Sequence, residues 1–451
     1  MRRLGGAAAA SIPWRPVGAL HTVGRIDATT TIGVLGRPWR ASVQPGGTIE
    51  PWDAPRALEW FVAADDRWHV PATEVATRQL RIGGTPVVET RLRIPNGDAV
   101  HRSYAAADGG GITLVQVENE SPLPIAVAFT GPALLSVRPP TDAPIAGIDL
   151  PADAVLFPVG HHATLTVAIP HDRSRTGALP PVWPSADQVV RGWRTTVDRA
   201  GVFELPDVAQ VMAIVHARCE LLLCGPADPS DDPVGFLLGV DQLVRIDGDA
   251  DRWVPDVAAA AGAVLRRPSS WDADAALDAA VRVLHAAGER RALQDVARHR
   301  TSGSPAPSSN SVDSVDSVDS VDSVDSVDSV DVDRGVRDLA RAERRLAADG
   351  VLLPGGIPSE WFGQPFEVHD VPIGTASTVS FAIRWHGPRP AVLWEVHGAP
   401  VELRSPQAAP AWSTREPRGE ALWPAPSVVP VAEVVPLPGS PSPAPDGASF
   451  S

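Results

Sequence analysis

The chain has 451 residues, with 39 basic and 54 acidic side chains and a net charge of −15, and every basic residue is arginine. That balance excludes a general nucleic-acid binder, which needs clustered positive charge to displace counterions from phosphates. No apolar stretch reaches the roughly 20 residues that span a bilayer, so no membrane partner is expected. With 44% hydrophobic and 21% charged residues, most of the chain is able to bury a core.

In chain order, Met1-Arg2-Arg3 and the alanines Ala7 to Ala10 start like a secretion signal, but Pro13, Arg15 and Pro16 break the apolar run. The only cysteines, Cys219 and Cys224, lie in one apolar segment and make no disulfide framework. The expected location is therefore cytoplasmic, after an N-terminal segment of residues 1–27. From 28 to 175 short β-rich runs follow one another: Thr29 to Leu35, Leu58 to Ala63, Arg78 to Ile82, Val87 to Ile94, Ile112 to Val117, Ile125 to Phe129, Ala154 to Val159 and Thr164 to Ile169. Turn signals such as Pro95-Asn96-Gly97-Asp98 separate them, and this spacing predicts an antiparallel sandwich.

The period changes near residue 185. Ser185 and Gln188 form a capping-box signature ahead of Val189, Val190, Trp193 and Val197. Pro206-Asp207 opens a helix to about Cys224, and its nearly all-round apolar surface predicts burial among other helices. Asp232-Pro233 opens another, and weaker helices follow at about 255–266 and 271–287, so 185–300 reads as helical hairpins. Seven Ser-Val-Asp triplets then fill Ser311 to Asp331. A period of three matches neither strand nor helix, and the repeat lacks the glycines and bidentate Glu of a calcium loop. Residues 301–333 therefore read as a disordered linker.

A last helix is expected from Arg334 to Asp349, within 334–353. In 354–404 the alternation of Val379, Phe381, Ile383 and Trp385 predicts a hairpin of a small β-domain, turning at His386 to Pro390 and returning over Ala391 to Val396. Eleven prolines between Ser405 and Ser451 predict a disordered tail over 405–451.

This order of elements resembles the six-hairpin (α/α)-toroid glycosidases and sugar phosphorylases. Val115-Gln116-Val117-Glu118-Asn119-Glu120-Ser121-Pro122-Leu123-Pro124-Ile125 looks like a strand ending of their N-terminal sandwich. Trp193 followed by Leu205-Pro206-Asp207 looks like the way into their first toroid helix, and Leu352-Leu353-Pro354-Gly355-Gly356-Ile357-Pro358-Ser359-Glu360-Trp361 is similar to the segment leaving the last. Phe381-Ala382-Ile383-Arg384-Trp385-His386-Gly387 with Leu393-Trp394-Glu395 resembles their C-terminal sheet. The resemblance implies an α+β chain: an N-terminal antiparallel β-supersandwich, an (α/α) helical-hairpin toroid and a small C-terminal β-sheet domain. The six or seven helices counted are too few for six hairpins, so the toroid is expected to be incomplete. It also implies a glycoside hydrolase-like protein that acts on or binds an oligosaccharide. The alternative is a sugar-binding or scaffold protein that has lost the catalytic pair.

Glycoside hydrolysis needs two carboxyl groups about 5–5.5 Å apart for retention, or roughly 6.5–9.5 Å for inversion. The acids at helix ends here are Asp207, Asp231, Asp232 and Asp241, the weak catalytic candidates; Asp207 and Asp232 also read as helix caps. Trp361 is a candidate sugar-stacking residue, with core packing the competing reading. His216, Cys219, Glu220 and Cys224 share a side of one helix in zinc-ligand types, yet cysteines in an apolar helix read as core. His161, His162 and His171 are split between a strand end and a loop. No metal or cofactor is expected, since glycine-loop, nucleotide and serine-elbow motifs are absent from the sequence.

Overall fold

The computed structural model of the chain describes residues 29–302 and 327–426. Among these residues the fold is mixed α+β, with seven α-helices and mostly antiparallel sheets. The chain forms two units: one comprises Met1–Ala200 and Asp207–Ala342, the other Gly201–Pro206 and Glu343–Ser451.

In the first unit, β1 (Thr30–Gly33), β2 (Arg40–Val43) and β3 (Ile49–Pro51) form a three-stranded sheet. Next come β4 (Glu59–Ala63), β5 (Trp68–His69), β6 (Arg78–Arg81), β7 (Val87–Ile94), β8 (Gly97–Ala106) and β9 (Ile112–Asn119). They are followed by β10 (Ile125–Thr130), β11 (Leu135–Ser136), β12 (Val155–Val159) and β13 (Thr164–Pro170). These ten strands divide into a four-stranded sheet, β12-β10-β4-β5, and a six-stranded one, β11-β13-β9-β8-β7-β6. Val88, Leu92, Val115 and Val117 of the larger sheet share one core with Val62, Val127, Phe129 and Phe157 of the smaller. Fully burying side chains of this size contributes about 1.5–3 kcal/mol each.

The Asn119-Glu120-Ser121-Pro122 segment has a structural explanation. Asn119 is fully buried. Its Oδ1 accepts from Ser121 N (2.9 Å) and Ser121 Oγ (2.7 Å), while its Nδ2 donates to the carbonyls of Leu123 (2.8 Å) and Gly160 (3.1 Å). Nearby, the β7–β8 hairpin turns through Pro95 and Asn96, with Asn96 at φ 60°. At Gly97 a Cβ would come within 2.6 Å of Ser121 Cα.

Helix α1 (Ala186–Val197) starts with both halves of the expected capping box, Ser185 and Gln188. It lies on the apolar half of the outer face of the six-stranded sheet, where Val87, Tyr104, Ile112 and Leu114 meet Trp183, Val189 and Val190. The other half of that face is an ion lattice. Glu89 accepts from Arg91 at 2.8 Å and Arg102 at 2.6 Å, and Arg102 also donates to Glu118 at 2.8 Å.

The chain then forms β14 (Val202–Glu204) and α2 (Val208–Cys224), α3 (Pro233–Asp247), α4 (Val254–Val264), α5 (Trp271–Ala286), α6 (Arg290–Ser302) and α7 (Val327–Leu346). One core joins Leu221, Phe236, Leu237, Val257, Ala276, Leu284, Val296 and Val336 from these helices. Three features differ from expectation. Helix α2 is not enclosed by helices: Thr31 N of β1 donates to Glu220 Oε1 (3.1 Å) and Arg40 of β2 donates to the Leu223 carbonyl (2.7 Å), so sheet lies along one side. Helix α6 was not anticipated, because a segment rich in charge meets the core only through Ala292, Leu293 and Val296. Helix α7 starts at Val327, inside the Ser-Val-Asp repeat, and α6 runs to Ser302, so helix extends into both ends of the expected 301–333 linker. The rest of that linker lies outside the described residues.

The polar residue that organises these helices is Arg218, 1% exposed on α2. It donates to the carbonyls of Val197 (3.2 Å) and Ala200 (3.0 Å) and to Gln242 Oε1 (3.1 Å). A cation thereby satisfies orphan carbonyls just where α1 ends, at the negative end of its dipole.

The second unit contains β14, β15 (Ala347–Ala348), β16 (Val351–Leu352), β17 (Phe366–Pro372), β18 (Ser377–His386), β19 (Arg389–Gly398), β20 (Leu403–Ser405), β21 (Ala409–Thr414) and β22 (Arg418–Leu422). They form a five-stranded sheet, β14-β17-β18-β19-β22, and a four-stranded one, β15-β16-β20-β21, in which β16 and β20 run parallel. The predicted alternation is present: Val379, Phe381 and Ile383 are buried while Ser380, Ala382 and Arg384 face outward. The expected hairpin has longer strands and a two-residue turn, Gly387-Pro388. Strands also continue to Leu422, well past Ser405, where the proline count predicts disorder. Their anchor is an indole chain: Trp412 packs between Trp394 and Trp423, 5.3 Å from each. Residues 427–451 of that tail lie outside the described residues.

Candidate functional site

The acidic candidates occupy separate places. Asp207 is exposed and caps α2, accepting from Gln210 N at 3.0 Å. Asp231 is exposed in the turn before α3. Asp232 caps α3 through Gly235 N (3.1 Å), so the capping reading of Asp207 and Asp232 holds. Asp241 is 3% exposed in the middle of α3 and accepts twice from Arg282, at 2.9 and 2.8 Å. Nine residues of helix separate Asp232 from Asp241, about 13 Å along the axis. Trp361 belongs to the second unit, 6% exposed, with its ring 5.1 Å from that of Phe366.

One acidic candidate, Asp232, nevertheless joins a larger group drawn from α3, α5 and α7. Arg337 on α7 donates to both oxygens of Asp232 at 2.7 Å. Its Nε lies 3.9 Å from Asp272 Oδ2, in the first turn of α5. Asp272 also accepts from Ser270 Oγ (2.6 Å), and these contacts begin with the serine bond that holds its carboxyl below the usual range. One turn along α7, the Arg341 guanidinium stands 4.8 Å over the ring of Trp271, which is 40% exposed at the start of α5. Gly235 is needed here, because a Cβ would run into the Asp232 carboxylate.

Local sequence explains each position. Ser270 caps α5 and sets Trp271 and Asp272 in its first turn, where the dipole favours a carboxylate. Arg337 and Arg341 are four apart and so lie above one another on α7. The group thus offers an indole face and two carboxylates at the starts of α3 and α5, with two guanidiniums from the body of α7. Such a set accepts and donates hydrogen bonds to a polyol while stacking on its ring. Asp272, whose carboxyl the Ser270 bond lowers, does not fit the role of the protonated acid that hydrolysis of a glycosidic bond requires.

Two other polar clusters stand apart. On α2, His216 Nδ1 lies 3.9 Å from Glu220 Oε1, and Cys224 Sγ lies 3.6 Å from Glu220 Oε2. Burial, aided by Arg81, pushes His216 down to about 3, while burial raises the Glu220 carboxyl and takes the Cys224 thiol to about 12. Cys219 is buried in the core between α1 and α2. Among the described residues no group of three or more His, Cys, Asp or Glu is placed to hold a metal ion. His171 stacks on Trp39 at 3.8 Å and pairs with Thr113, and burial brings it down to about 4; His161 and His162 face each other at 6.0 Å. The second cluster, in the second unit, sets Glu204 of β14 opposite Glu367 of β17, with Arg384 on Glu367 at 2.8 Å.

Sequence reasoning reached Asp232 but passed over Trp271, Asp272, Arg337 and Arg341. The available signal was Ser270 as a cap before an aromatic and an acid. Among the described residues no helix is long and apolar enough to cross a membrane. No protein-family model matches the chain, and no curated protein or solved structure is significantly similar to it.

Proposed function

We propose that this chain is a carbohydrate-binding protein of the six-hairpin toroid lineage that holds an oligosaccharide without hydrolysing it, and that it works in the cytoplasm. In this reading the two sheets sharing a core are the supersandwich, helices α1 to α7 are an incomplete toroid, and the second unit is its C-terminal β-domain. The observation that carries it is Trp271, an exposed indole under the Arg341 guanidinium and next in sequence to Asp272, which Arg337 links to Asp232. The four candidate acids favour binding over turnover: two cap helices, Asp241 is closed off with Arg282, and Asp231 is exposed in a turn.

Titrating the purified chain with neutral oligosaccharides, followed by calorimetry and tryptophan fluorescence, should give saturable binding with no release of aglycone from aryl glycosides or of sugar from α-glucans. Trp271→Ala should weaken binding roughly fivefold, since an aromatic face contributes about 1 kcal/mol. Measurable turnover would instead favour the active glycoside hydrolase. Absence of both binding and turnover would discard carbohydrate and leave an interaction protein.

A further inference from the structure

Among the described residues strand β22 is the last of its sheet, paired on one side only, to β19. Its register sets Gly419 opposite Trp394 and Ala421 opposite Val392, and the Val396 amide bonds the Pro417 carbonyl while the Trp423 amide bonds the Pro390 carbonyl. Main-chain groups alternate sides along a strand, so residues 417, 419, 421 and 423 bond toward β19. The amides and carbonyls of Arg418 and Glu420, and the amide of Leu422, therefore point to the open edge; the Leu422 carbonyl already accepts from Arg389 at 3.2 Å. The side chains of Arg418, Glu420 and Leu422 all stand on the exposed outer face, and Leu393 and Leu422 there are 42% and 47% exposed.

We infer that this edge joins a second copy of the chain, β22 against β22, about a two-fold axis at Gly419. An antiparallel pair centred on Gly419 sets Arg418 of one protomer directly opposite Glu420 of its partner, twice. Among the described residues those are the two whose main-chain groups both lack a partner on that side, so charge complementarity and hydrogen-bond register coincide. Centring one residue later would bring Glu420 against itself, which like-charge repulsion opposes. A two-fold axis normal to the sheet keeps both outer faces on one side, so the exposed Leu422 side chains extend a shared surface. This is the isologous form of strand addition. Leaving such an edge unpaired invites less ordered association.

The test is sedimentation of the full chain over a concentration series extending to about 100 μM. Wild type is expected to form dimers. Arg418→Glu and Glu420→Arg should each weaken association about tenfold or more by setting like charges opposite, and the double exchange R418E/E420R should restore it. Glu420→Pro removes an amide from the open edge and none from the ladder with β19; it too should give monomers. Circular dichroism and tryptophan emission check that each variant stays folded. A wild type monomeric throughout, or a dimer indifferent to both single charge changes, overturns the inference. So does a monomer that dimerises only when residues 427–451 are removed, which would assign the edge to the chain's own C-terminal segment.

Discussion

Asp241 and Arg282 form a pair whose two ends differ in access to water. The Asp241 side chain is 4% exposed and that of Arg282 22%, and Arg245 stands 3.7 Å from the same carboxylate. Removing Arg282 leaves the buried carboxylate only its longer contact with Arg245, whereas removing Asp241 leaves a guanidinium that is closer to solvent. Arg282→Ala should therefore cost about 3 kcal/mol, and Asp241→Ala only about 1–2 kcal/mol. Urea unfolding of the two variants gives the order directly. Equal losses, or a greater loss for Asp241→Ala, would mean that the pair is not limited by the buried carboxylate. The same reasoning separates stability from catalysis at this position: a loss of any activity in Asp241→Ala that tracks loss of fold says nothing about acid–base chemistry.

Strand β14 is the opposite edge of the sheet that ends in β22, and it has only three residues. Glu204 stands cross-strand from Glu367, and partial desolvation, then the charge and hydrogen bond of Glu367, raise the Glu204 carboxyl, against His369 and Arg384, which lower it. A raised folded value means that the native state holds the proton more tightly than the unfolded chain does. The contribution is therefore fully present below the ordinary glutamate range near ~4.3 and is lost as pH climbs through the raised value. Glu204→Gln removes the repulsion at high pH. It should be more stable than wild type at pH 8 by roughly 0.2–1 kcal/mol, the scale of a cross-strand charge pair, and should converge with it near pH 4. Thermal melts of both proteins across that range suffice, and a constant difference would show that the two carboxyls do not interact. Elements with a clean period were legible in the sequence: the α1 capping box, the Asp207 and Asp232 caps and the Val379–Ile383 alternation all come from neighbours a few residues apart. What escaped depends on partners far along the chain. Nothing local marks Arg218, because the carbonyls it holds, at Val197 and Ala200, belong to another element. Arg337 meets Asp232 across 105 residues, so the group around Trp271 left only one local trace, the Ser270 cap. In β21 and β22 proline content outweighed the indoles that hold the strands.

The whole chain is interleaved rather than laid out in sequence. Five of its negative charges lie in residues 311–326, outside the described residues, so part of the formal −15 belongs to none of the described elements. More consequential is Gly201–Pro206, which leaves the first unit after Ala200, belongs to the second, and gives way to the first again at Asp207. A strand borrowed in this way ties the completeness of the C-terminal sheet to residues some 167 positions upstream, as the Val202 and His369 pairing shows. Phe203 is the residue through which that dependence can be measured. It pairs with Val368 and is 4% exposed, and truncating a buried phenylalanine costs about 3–5 kcal/mol. If β14 is integral to the second unit, Phe203→Ala should lower amide protection in β17, β18 and β19 while leaving β7, β8 and β9 as they were. Hydrogen exchange read by mass spectrometry resolves the two groups of peptides in one experiment. An equal loss in both groups would mean that the chain unfolds as one cooperative body, and an unchanged β17–β19 would mean that the sheet stands without its upstream edge.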